Sequence, residues 1–299
     1  MNYLLLILIV IITFLVAGNN MIIAAGPLIG SRILKKNSAI LIGVAGGLAG
    51  FVVQGGYMIH IKSALYSNMP DPILILGFEV VIFMFILSTL FRYPLSLNIV
   101  TTFVFLGASF ALNTRINIIF LVALILFWIA TFFVSIVLVK LLVFEKIKDL
   151  WNKIYIFKIL TIILSFFAAF AWGSNTLGFI FAISGRQYYY PILISTCAGG
   201  FLLGTVTIKK VVESSYMLKY SSALKAQIVQ TLLVETATIL SFPLSSTQAL
   251  SYGLYSVGLH RRRFINSRPL IFSIISMILF AIISFFILFF IIHFFIKVV

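Results

Sequence analysis

SFPLSSTQALSYGLYSVGL, residues Ser241–Leu259, interrupts a stretch of the chain that otherwise consists mainly of Leu, Ile, Val and Phe. It contains a proline, Pro243, which cannot donate a backbone hydrogen bond. Four hydrogen-bonding side chains, Ser245–Gln248, follow almost at once. Polar groups without partners are costly in lipid, so this segment is expected to have a task inside the protein at membrane depth.

The composition of the whole chain predicts a multi-spanning membrane protein. The 299 residues are 63% hydrophobic and 9% charged, with a mean hydropathy of +1.23, which soluble domains do not have. The apolar runs are too long for a β-barrel, in which polar and apolar side chains alternate. The basic residues that give the chain its net charge of +15 lie between the apolar runs. In a membrane protein, basic loops set the orientation in the bilayer, so this charge does not indicate nucleic-acid binding. Cys197 stands alone and the three histidines are scattered, so neither a disulfide nor a metal site is predicted.

Two halves of the chain share the same order of features. Residues 91–111, FRYPLSLNIVTTFVFLGASFA, are similar to residues 241–261, SFPLSSTQALSYGLYSVGLHR. Each has an aromatic residue near Pro-Leu-Ser, followed by polar residues and a short segment of small residues. In both residues 14–26 and residues 167–179, an apolar run leads to a Gly and an Asn. The chain is therefore predicted to contain two repeats.

The predicted repeats cover residues 1–143 and 154–299 and are joined by a charged linker at residues 144–153. Short, interrupted hydrophobic segments at corresponding places in two halves are typical of transporter binding sites. Each repeat is predicted to hold a broken crossing, a full crossing, a hairpin that enters and leaves on one side, and a last crossing. In the first repeat these elements occupy residues 2–34, 38–59, 72–111 and 116–143.

The distribution of basic residues supports this topology. Of the 21 Lys and Arg residues, 16 fall on one predicted face and four on the other, with Arg92 near a hairpin tip. The positive-inside rule makes the first face cytoplasmic. The linker 144–153 is then cytoplasmic, both termini lie outside, and the second repeat is inverted relative to the first. The predicted fold is thus an all-α polytopic membrane protein of the cell membrane, with two inverted-topology repeats, broken helices and re-entrant helical hairpins.

The predicted hairpin tips, at Pro94 and Pro243, indicate an anion site. Proline favours the start of a helix, and the first N–H groups of a helix have no partner within it. Such N–H groups, at the positive end of the helix dipole, suit phosphate-like anions. Two tips that meet inside the protein would therefore form a cup of hydrogen-bond donors. The residues assigned to this substrate site are Asn19, Asn20, Ser96, Asn98, Asn175, Thr176, Ser245, Ser246, Thr247 and Gln248.

Each polar residue also has a purely structural interpretation. Ser and Thr in membrane helices often bond to a carbonyl one turn back, and glycines such as Gly46, Gly47 and Gly50 allow close helix packing. Four polar clusters matched across two repeats favour binding, because polar groups at this depth are costly. Glu79 and Glu235, the carboxylates inside the apolar segments, are candidates to bind a coupling ion or carry a proton. The alternative for each is a structural pair with a base or an amide.

At these motifs the chain resembles the inorganic phosphate transporter family of phosphate and sulfate permeases. Members of that family carry G-x-N-D-V-A-N-A and P-V-S-T-T-H in each of two inverted repeats. The resemblance runs through the whole chain in order, although no single motif is identical. The matching segments are Asn19 and Asn175 for the motif Asn, Pro94–Asn98 and Pro243–Gln248 for the proline motif, Gly253 and Val257–Leu259 for the helix after it, and Thr207–Glu213 and Ile265–Arg268 for later segments.

The chain departs from the family pattern at charged positions. The motif Asp is replaced by Asn20 in the first repeat and by Thr176 in the second. Family members also carry a Glu in the hairpin. This Glu is retained here as Glu79, and Gln227 lies near the corresponding position of the second repeat. The resemblance implies transport of phosphate or sulfate, coupled to sodium or protons. The missing carboxylates weaken the implication of sodium coupling, because hard cations prefer charged oxygen ligands.

The sequence therefore predicts a secondary transporter of inorganic phosphate that works by alternating access and is coupled to protons or sodium, without a cofactor. A sulfate permease is the first alternative, and a passive anion channel, which would not accumulate its substrate, is the second. An intramembrane enzyme is disfavoured because paired carboxylates, a metal motif and an activated nucleophile are missing from the sequence. A member that binds without transporting is a further alternative. The expected partners are the anion and the lipid bilayer, with a homodimer as one assembly to consider.

Overall fold

The computed structural model describes residues 2–66, 69–91, 95–142, 150–204, 220–260 and 268–296. All regular secondary structure in these ranges is helical. Six helical segments there are long and apolar enough to cross a membrane, which confirms the prediction of an all-α polytopic membrane protein. They are Tyr3–Gly30, Lys36–Leu65, Asp71–Phe91, Ile118–Leu141, Ile154–Ser184 and Ile271–Phe294.

The helices are named here in chain order, first half and then second half. The first half comprises α1 (Tyr3–Gly30), α2 (Lys36–Gln54), the 3-10 turn Gly55–Met58, α3 (Ile59–Leu65), α4 (Asp71–Phe91), α5 (Leu97–Ala111) and α6 (Ile118–Leu141). The second half comprises α7 (Leu150–Trp172), the π turn Gly173–Leu177, α8 (Gly178–Ser184), the 3-10 turn Arg186–Tyr188, α9 (Tyr189–Leu202), α10 (Tyr220–Ile239), α11 (Ser246–His260), α12 (Arg268–Ile291) and the π turn Ile292–Ile296.

The two halves pack against each other in a reciprocal way. The first helix of each half lies against the second long helix of the other half, since α1 packs against α9 and α7 against α2. The short hairpin helix of each half lies against the last helix of the other, since α5 packs against α12 and α11 against α6. Exchanging the halves leaves these helix pairs unchanged, and this supports the proposal of two structural repeats.

In the first half, the hairpin helix α5 runs toward the end of the molecule where α3 lies. The Ser109 hydroxyl, near the end of α5, donates to the Leu65 carbonyl at 2.6 Å. The Asn117 N–H, at the start of α6, donates to the Ala64 carbonyl at 2.9 Å. α5 therefore ends, and α6 begins, beside the same short helix, so that α5 and α6 run in opposite directions.

In the second half, the hairpin helix α11 runs in the opposite direction to α5. α11 runs alongside α6 in the same direction, because Pro243 lies beside Trp128 and Ser256 lies beside Ser135. α5 therefore runs opposite to α11 as well as to α6. Opposed directions of the two hairpin helices are what inverted repeats produce, so this geometry supports the inverted topology that the sequence predicts.

The break predicted near Gly18, Asn19 and Asn20 is wrong, because α1 runs without interruption from Tyr3 to Gly30. A Cβ atom at Gly18 would collide with the Leu203 side chain of the second half. This glycine therefore allows α1 to pack closely and does not unwind the helix. The corresponding segment of the second half is also helical, but it widens into the buried π turn Gly173–Leu177, a distortion that is frequent at functional sites.

Several sequence predictions fall outside the described residues. These include Pro94, the linker residues 144–149 and the basic segments 205–219 and 261–267. The last residues of the predicted linker belong to α7, which begins at Leu150.

Glycines in α2 bring its backbone into contact with that of α7. A Cβ atom at Gly46 would lie 2.5 Å from the Phe166 carbonyl oxygen, and one at Gly50 would overlap the Phe170 carbonyl. Gly47 lies against the indole ring of Trp172 in the same way. The predicted packing role of these three glycines is confirmed.

Replacing Gly50 by Ala should therefore destabilise the protein. Overpacking costs about 1–3 kcal/mol, which exceeds the gain of about 1 kcal/mol from replacing Gly by Ala inside a helix. Thermal unfolding in detergent measures the difference. Gly56→Ala is the matched control, because a Cβ atom there meets nothing within 4 Å. If Gly50→Ala unfolded at the parent temperature, close packing of α2 on α7 would not contribute to stability.

Candidate anion-binding site

The starts of the two hairpin helices meet in the interior of the protein, as the sequence predicts. The Asn98 side chain, in the first turn of α5, donates through Nδ2 to the Leu244 carbonyl at 2.8 Å. Leu244 lies just before α11 and only 1% of its surface is exposed. The preceding residue, Pro243, lies beside Trp128, near the middle of the apolar helix α6. The meeting point is therefore far from both ends of a helix long enough to cross the membrane.

Asn175, in the π turn, joins the two hairpins. Its Oδ1 accepts hydrogen bonds from the Leu244 N–H at 2.9 Å and from Asn98 Nδ2 at 3.1 Å. Its Nδ2 donates to the Phe242 carbonyl at 2.9 Å and to the Thr238 hydroxyl at 3.2 Å. One buried carboxamide thus bonds to the start of α5, the end of α10 and the tip that leads into α11.

The same cluster contains Thr176 and the first turn of α5. Asn98 Nδ2 also lies 3.2 Å from the Thr176 hydroxyl oxygen, which accepts from it. Ser96 caps α5, since its hydroxyl oxygen accepts from the Ile99 N–H at 3.4 Å. The structure therefore brings together Ser96, Asn98, Asn175 and Thr176, all of them buried.

Ser245 caps α11. Its hydroxyl oxygen accepts from the Gln248 N–H at 3.3 Å, and its carbonyl accepts from the Ala249 N–H at 2.9 Å. Its hydroxyl also lies 3.1 Å from that of Thr247. Pro243 stands two residues before this cap, and so it precedes the first helical turn instead of lying inside it. The helix therefore begins directly after its serine cap, Ser245, and not at the proline.

The start of α11 has donors and acceptors that find no partner in the part of the chain that the structure describes. The backbone N–H groups of Ser246 and Thr247 have no acceptor among the described residues. The Ser246 hydroxyl and the Gln248 Oε1 atom are buried without a hydrogen-bond partner. An unsatisfied buried polar group costs about 1–3 kcal/mol, so these atoms are suited to a ligand or to water.

Asn19 and Asn20 do not take part in this hydrogen-bonded cluster. Both are half-buried on α1. Neither side chain makes a hydrogen bond with the described residues. α1 does touch α11, so the two amides stand on a helix that contacts the hairpin helix of the second half.

The two carboxylates named from the sequence also stand outside the cluster. Glu79 is exposed on α4, and Glu235 is half-buried on α10. The cluster itself contains only amides, hydroxyls and backbone groups. Within the described part of the chain, no group of three or more His, Cys, Asp or Glu side chains could hold a metal ion.

Sequence reasoning missed Thr238, Trp128 and Gln230, and it noted Gln227 only as a residue near the position of the family Glu. Thr238 and Trp128 bond to the cluster, but each lies in an apolar run that predicts only a membrane helix. Gln227 and Gln230 of α10 are fully buried, and the Oε1 atom of each lacks a partner within the described ranges. Their Nε2 atoms donate to the Ser165 hydroxyl at 2.7 Å and, at 3.5 Å, to a backbone carbonyl of α7. Two glutamines three residues apart in an apolar helix are the signal that could have revealed them.

The fold and this site define a polytopic helical membrane protein in which two opposed hairpin helices start at one buried polar cluster. No family model matches the chain. The chain is 27% identical to a protein of Methanocaldococcus jannaschii named "putative phosphate permease", over 260 residues that cover 85% of this chain and 84% of that protein. Its fold matches a solved structure, the sodium-dependent phosphate transporter, with a TM-score of 0.81 and 16% identity over 99% of both chains. The chain is thus similar in sequence to a protein named a phosphate permease and similar in fold to a phosphate transporter of known structure, and both similarities agree with the resemblance that its motifs carry.

Proposed function

We propose that the chain is a secondary transporter that carries inorganic phosphate across the membrane by alternating access. The observation that carries this proposal is the meeting of the starts of α5 and α11 in the interior, where the Asn98 side chain bonds to the Leu244 carbonyl. The free N–H groups of helix starts suit phosphate-like anions. The names of the two similar proteins, a phosphate permease and a phosphate transporter, support the same substrate. Transporters are not enzymes, and these relatives therefore support the prediction that the chain has no catalytic function.

In the proposed site, the anion accepts hydrogen bonds from the start of α11. The N–H groups of Ser246 and Thr247 and the Ser246 hydroxyl are the unused donors there. Asn98 and Asn175 hold both hairpins in place and can turn their amides to the anion only by giving up bonds they now make. Asn19 and Asn20 of α1 complete the set of donors. The other members are Ser96, Thr176, Ser245, Thr247 and Gln248.

The packing of each half on the other supports the proposal of alternating access. Each hairpin helix rests on the last helix of the other half, α5 on α12 and α11 on α6. A shift of one half against the other therefore moves both hairpins relative to the shared cluster. Because the hairpins approach the cluster from opposite ends, such a shift would open the cluster to one side and close it to the other.

A specific observation favours sulfate as the second candidate substrate. Hydrogen phosphate carries a proton that a carboxylate could accept, whereas sulfate has none to donate. The cluster contains no carboxylate, and the carbonyls of residues 242–244 already accept hydrogen bonds from side chains. Amides and hydroxyls suit either anion.

The direct test is uptake of labelled phosphate and sulfate by proteoliposomes, with and without sodium and pH gradients. A secondary transporter should accumulate one of the two anions against its concentration gradient when the coupling gradient is applied. A passive channel would let the anion equilibrate without accumulation. Binding without uptake would identify a protein that has lost transport, and the absence of both would refute the proposed function.

Glu79 is the proposed site of the coupling ion or proton. Glu79→Gln should abolish gradient-driven uptake and leave anion binding intact, because the residue stands on α4 outside the anion cluster. Initial uptake rates at several sodium concentrations and pH values, with binding measured separately, check this. Asp71→Asn removes an exposed acidic residue from the start of the same helix and should change neither. Unchanged ion and pH dependence in Glu79→Gln would leave Glu235 as the candidate.

The proposed orientation of the chain in the membrane is based on the uneven distribution of Lys and Arg between the two predicted faces. The chain lies in the cell membrane with the linker 144–153 in the cytoplasm and both termini outside. A homodimer is the assembly proposed for the purified protein.

A further inference from the structure

The tip of the second hairpin is held by three side chains from three different elements. The carbonyl oxygens of residues 242–244 accept, in order, from Asn175 Nδ2 at 2.9 Å, Trp128 Nε1 at 2.8 Å and Asn98 Nδ2 at 2.8 Å. These donors belong to the π turn, to α6 and to α5. The tip carries the cap of α11, so its position decides where the unused N–H groups of α11 point.

Trp128 is held in place by aromatic and apolar packing. Its ring stacks on Phe103 of α5, with centroids 6.2 Å apart and planes inclined by 29°. It also packs against a buried cluster formed by Ile99, Met277 and Ala281. An indole held in this way can place its single N–H in only a narrow range of positions, and the carbonyl that accepts from it belongs to the buried residue Pro243.

The apolar face of the same tip rests on the same helix. The Phe242 ring packs against Phe120 and Phe127 of α6 at centroid distances of 5.1 and 5.3 Å. Aromatic contacts tolerate sliding, whereas a hydrogen bond fixes distance and direction. The bond from Trp128 to the Pro243 carbonyl is therefore the contact that sets the register of the tip against α6.

We propose that Trp128 is a positioning residue of the transport site: it belongs to the first half and orients the anion-binding helix start of the second half. This inference rests on the proposed function. The anion does not touch Trp128. The Trp128 bond holds residues 242–244, and the fixed tip presents the N–H groups of Ser246 and Thr247 to the anion.

The test replaces Trp128 by 3-benzothienylalanine, in which sulfur takes the place of Nε1–H and the ring keeps its shape. The phosphate and sulfate concentrations for half-maximal uptake should rise about threefold to tenfold, the effect of losing one neutral hydrogen bond. The maximal rate should stay near the parent value, and the unfolding temperature should fall only modestly, because the Pro243 carbonyl loses one neutral hydrogen bond. Amide hydrogen exchange of residues 242–248 should accelerate. The same replacement at Trp151, an exposed residue at the start of α7, is the control and should change none of these.

A merely structural tryptophan would lower the unfolding temperature and leave the half-saturating concentrations unchanged, and that result would overturn the proposal. Unchanged hydrogen exchange at residues 242–248 would also overturn it, whether or not the parent protein carries an anion. Failure of the parent to bind or carry either anion would refute the proposed function and, with it, the positioning role in transport. Faster exchange in that case would show that the Trp128 bond fixes the tip for a different purpose.

Discussion

Replacing Asn98 by Asp is expected to abolish anion binding, although the side chain keeps almost the same shape. The two N–H bonds of Asn98 Nδ2 have three acceptors within hydrogen-bond distance: Asn175 Oδ1, the Thr176 hydroxyl and the Leu244 carbonyl. A carboxylate oxygen cannot donate to any of them, and it would face two carbonyl oxygens directly. An uncompensated buried charge of this kind costs about 3–5 kcal/mol. The affinity for phosphate or sulfate should fall at least about 100-fold.

Two further variants separate the charge from the loss of donors. Asn98→Ala removes the donors without adding a charge, and it should bind the anion more tightly than Asn98→Asp and less tightly than the parent. Asn37→Asp, at an exposed position in the first turn of α2, is the matched control and should bind as the parent does. Titration calorimetry gives the affinities, and thermal unfolding in detergent shows which variants remain folded. A folded Asn98→Asp protein with parent affinity would place the anion site away from the hairpins.

The predictable part of this site is the part that depends on residues close together in the chain. Ser96 and Ser245 each follow a Pro-Leu pair and each cap a helix, because a hydroxyl can accept the free N–H groups of the next turn. The matching order of these segments in two halves also predicted that both helix starts belong to one site. The contact between Asn98 and Leu244 agrees with that prediction.

The part that could not be predicted depends on partners far apart in the chain. Nothing near Asn175 indicates that its amide bonds to Asn98 and Leu244, 77 and 69 positions away. Trp128 donates to a carbonyl 115 positions away, and a single sequence gives no sign of that contact. At Gly18 the sequence predicts a feature, a helix break, that the structure does not have. A glycine beside two asparagines is typical of a break, but here close packing against α9 keeps the helix intact.

Removing the hydroxyls at the start of α11 should weaken anion binding without unfolding the protein. The Ser246 hydroxyl is buried and has no partner among the described residues, so Ser246→Ala loses no hydrogen bond to that part of the chain. The Thr247 hydroxyl bonds only to that of Ser245 among the described residues. A hydrogen bond to a charged ligand is worth about 1.5–3 kcal/mol. Each of Ser246→Ala and Thr247→Val should therefore lower the affinity for phosphate or sulfate about tenfold to 150-fold.

This pair of substitutions distinguishes a binding role from helix capping, since the cap is Ser245 and both variants retain it. A capping role would appear as a lower unfolding temperature with unchanged affinity, whereas a binding role would appear as the reverse. Ser273→Ala, on α12 and outside every polar cluster of the site, should leave both quantities at parent values. The measurement is anion affinity of the purified variants, paired with thermal unfolding. If Ser246→Ala and Thr247→Val both bind phosphate and sulfate as the parent does, the polar segment after Pro243 only starts a helix and the anion binds elsewhere.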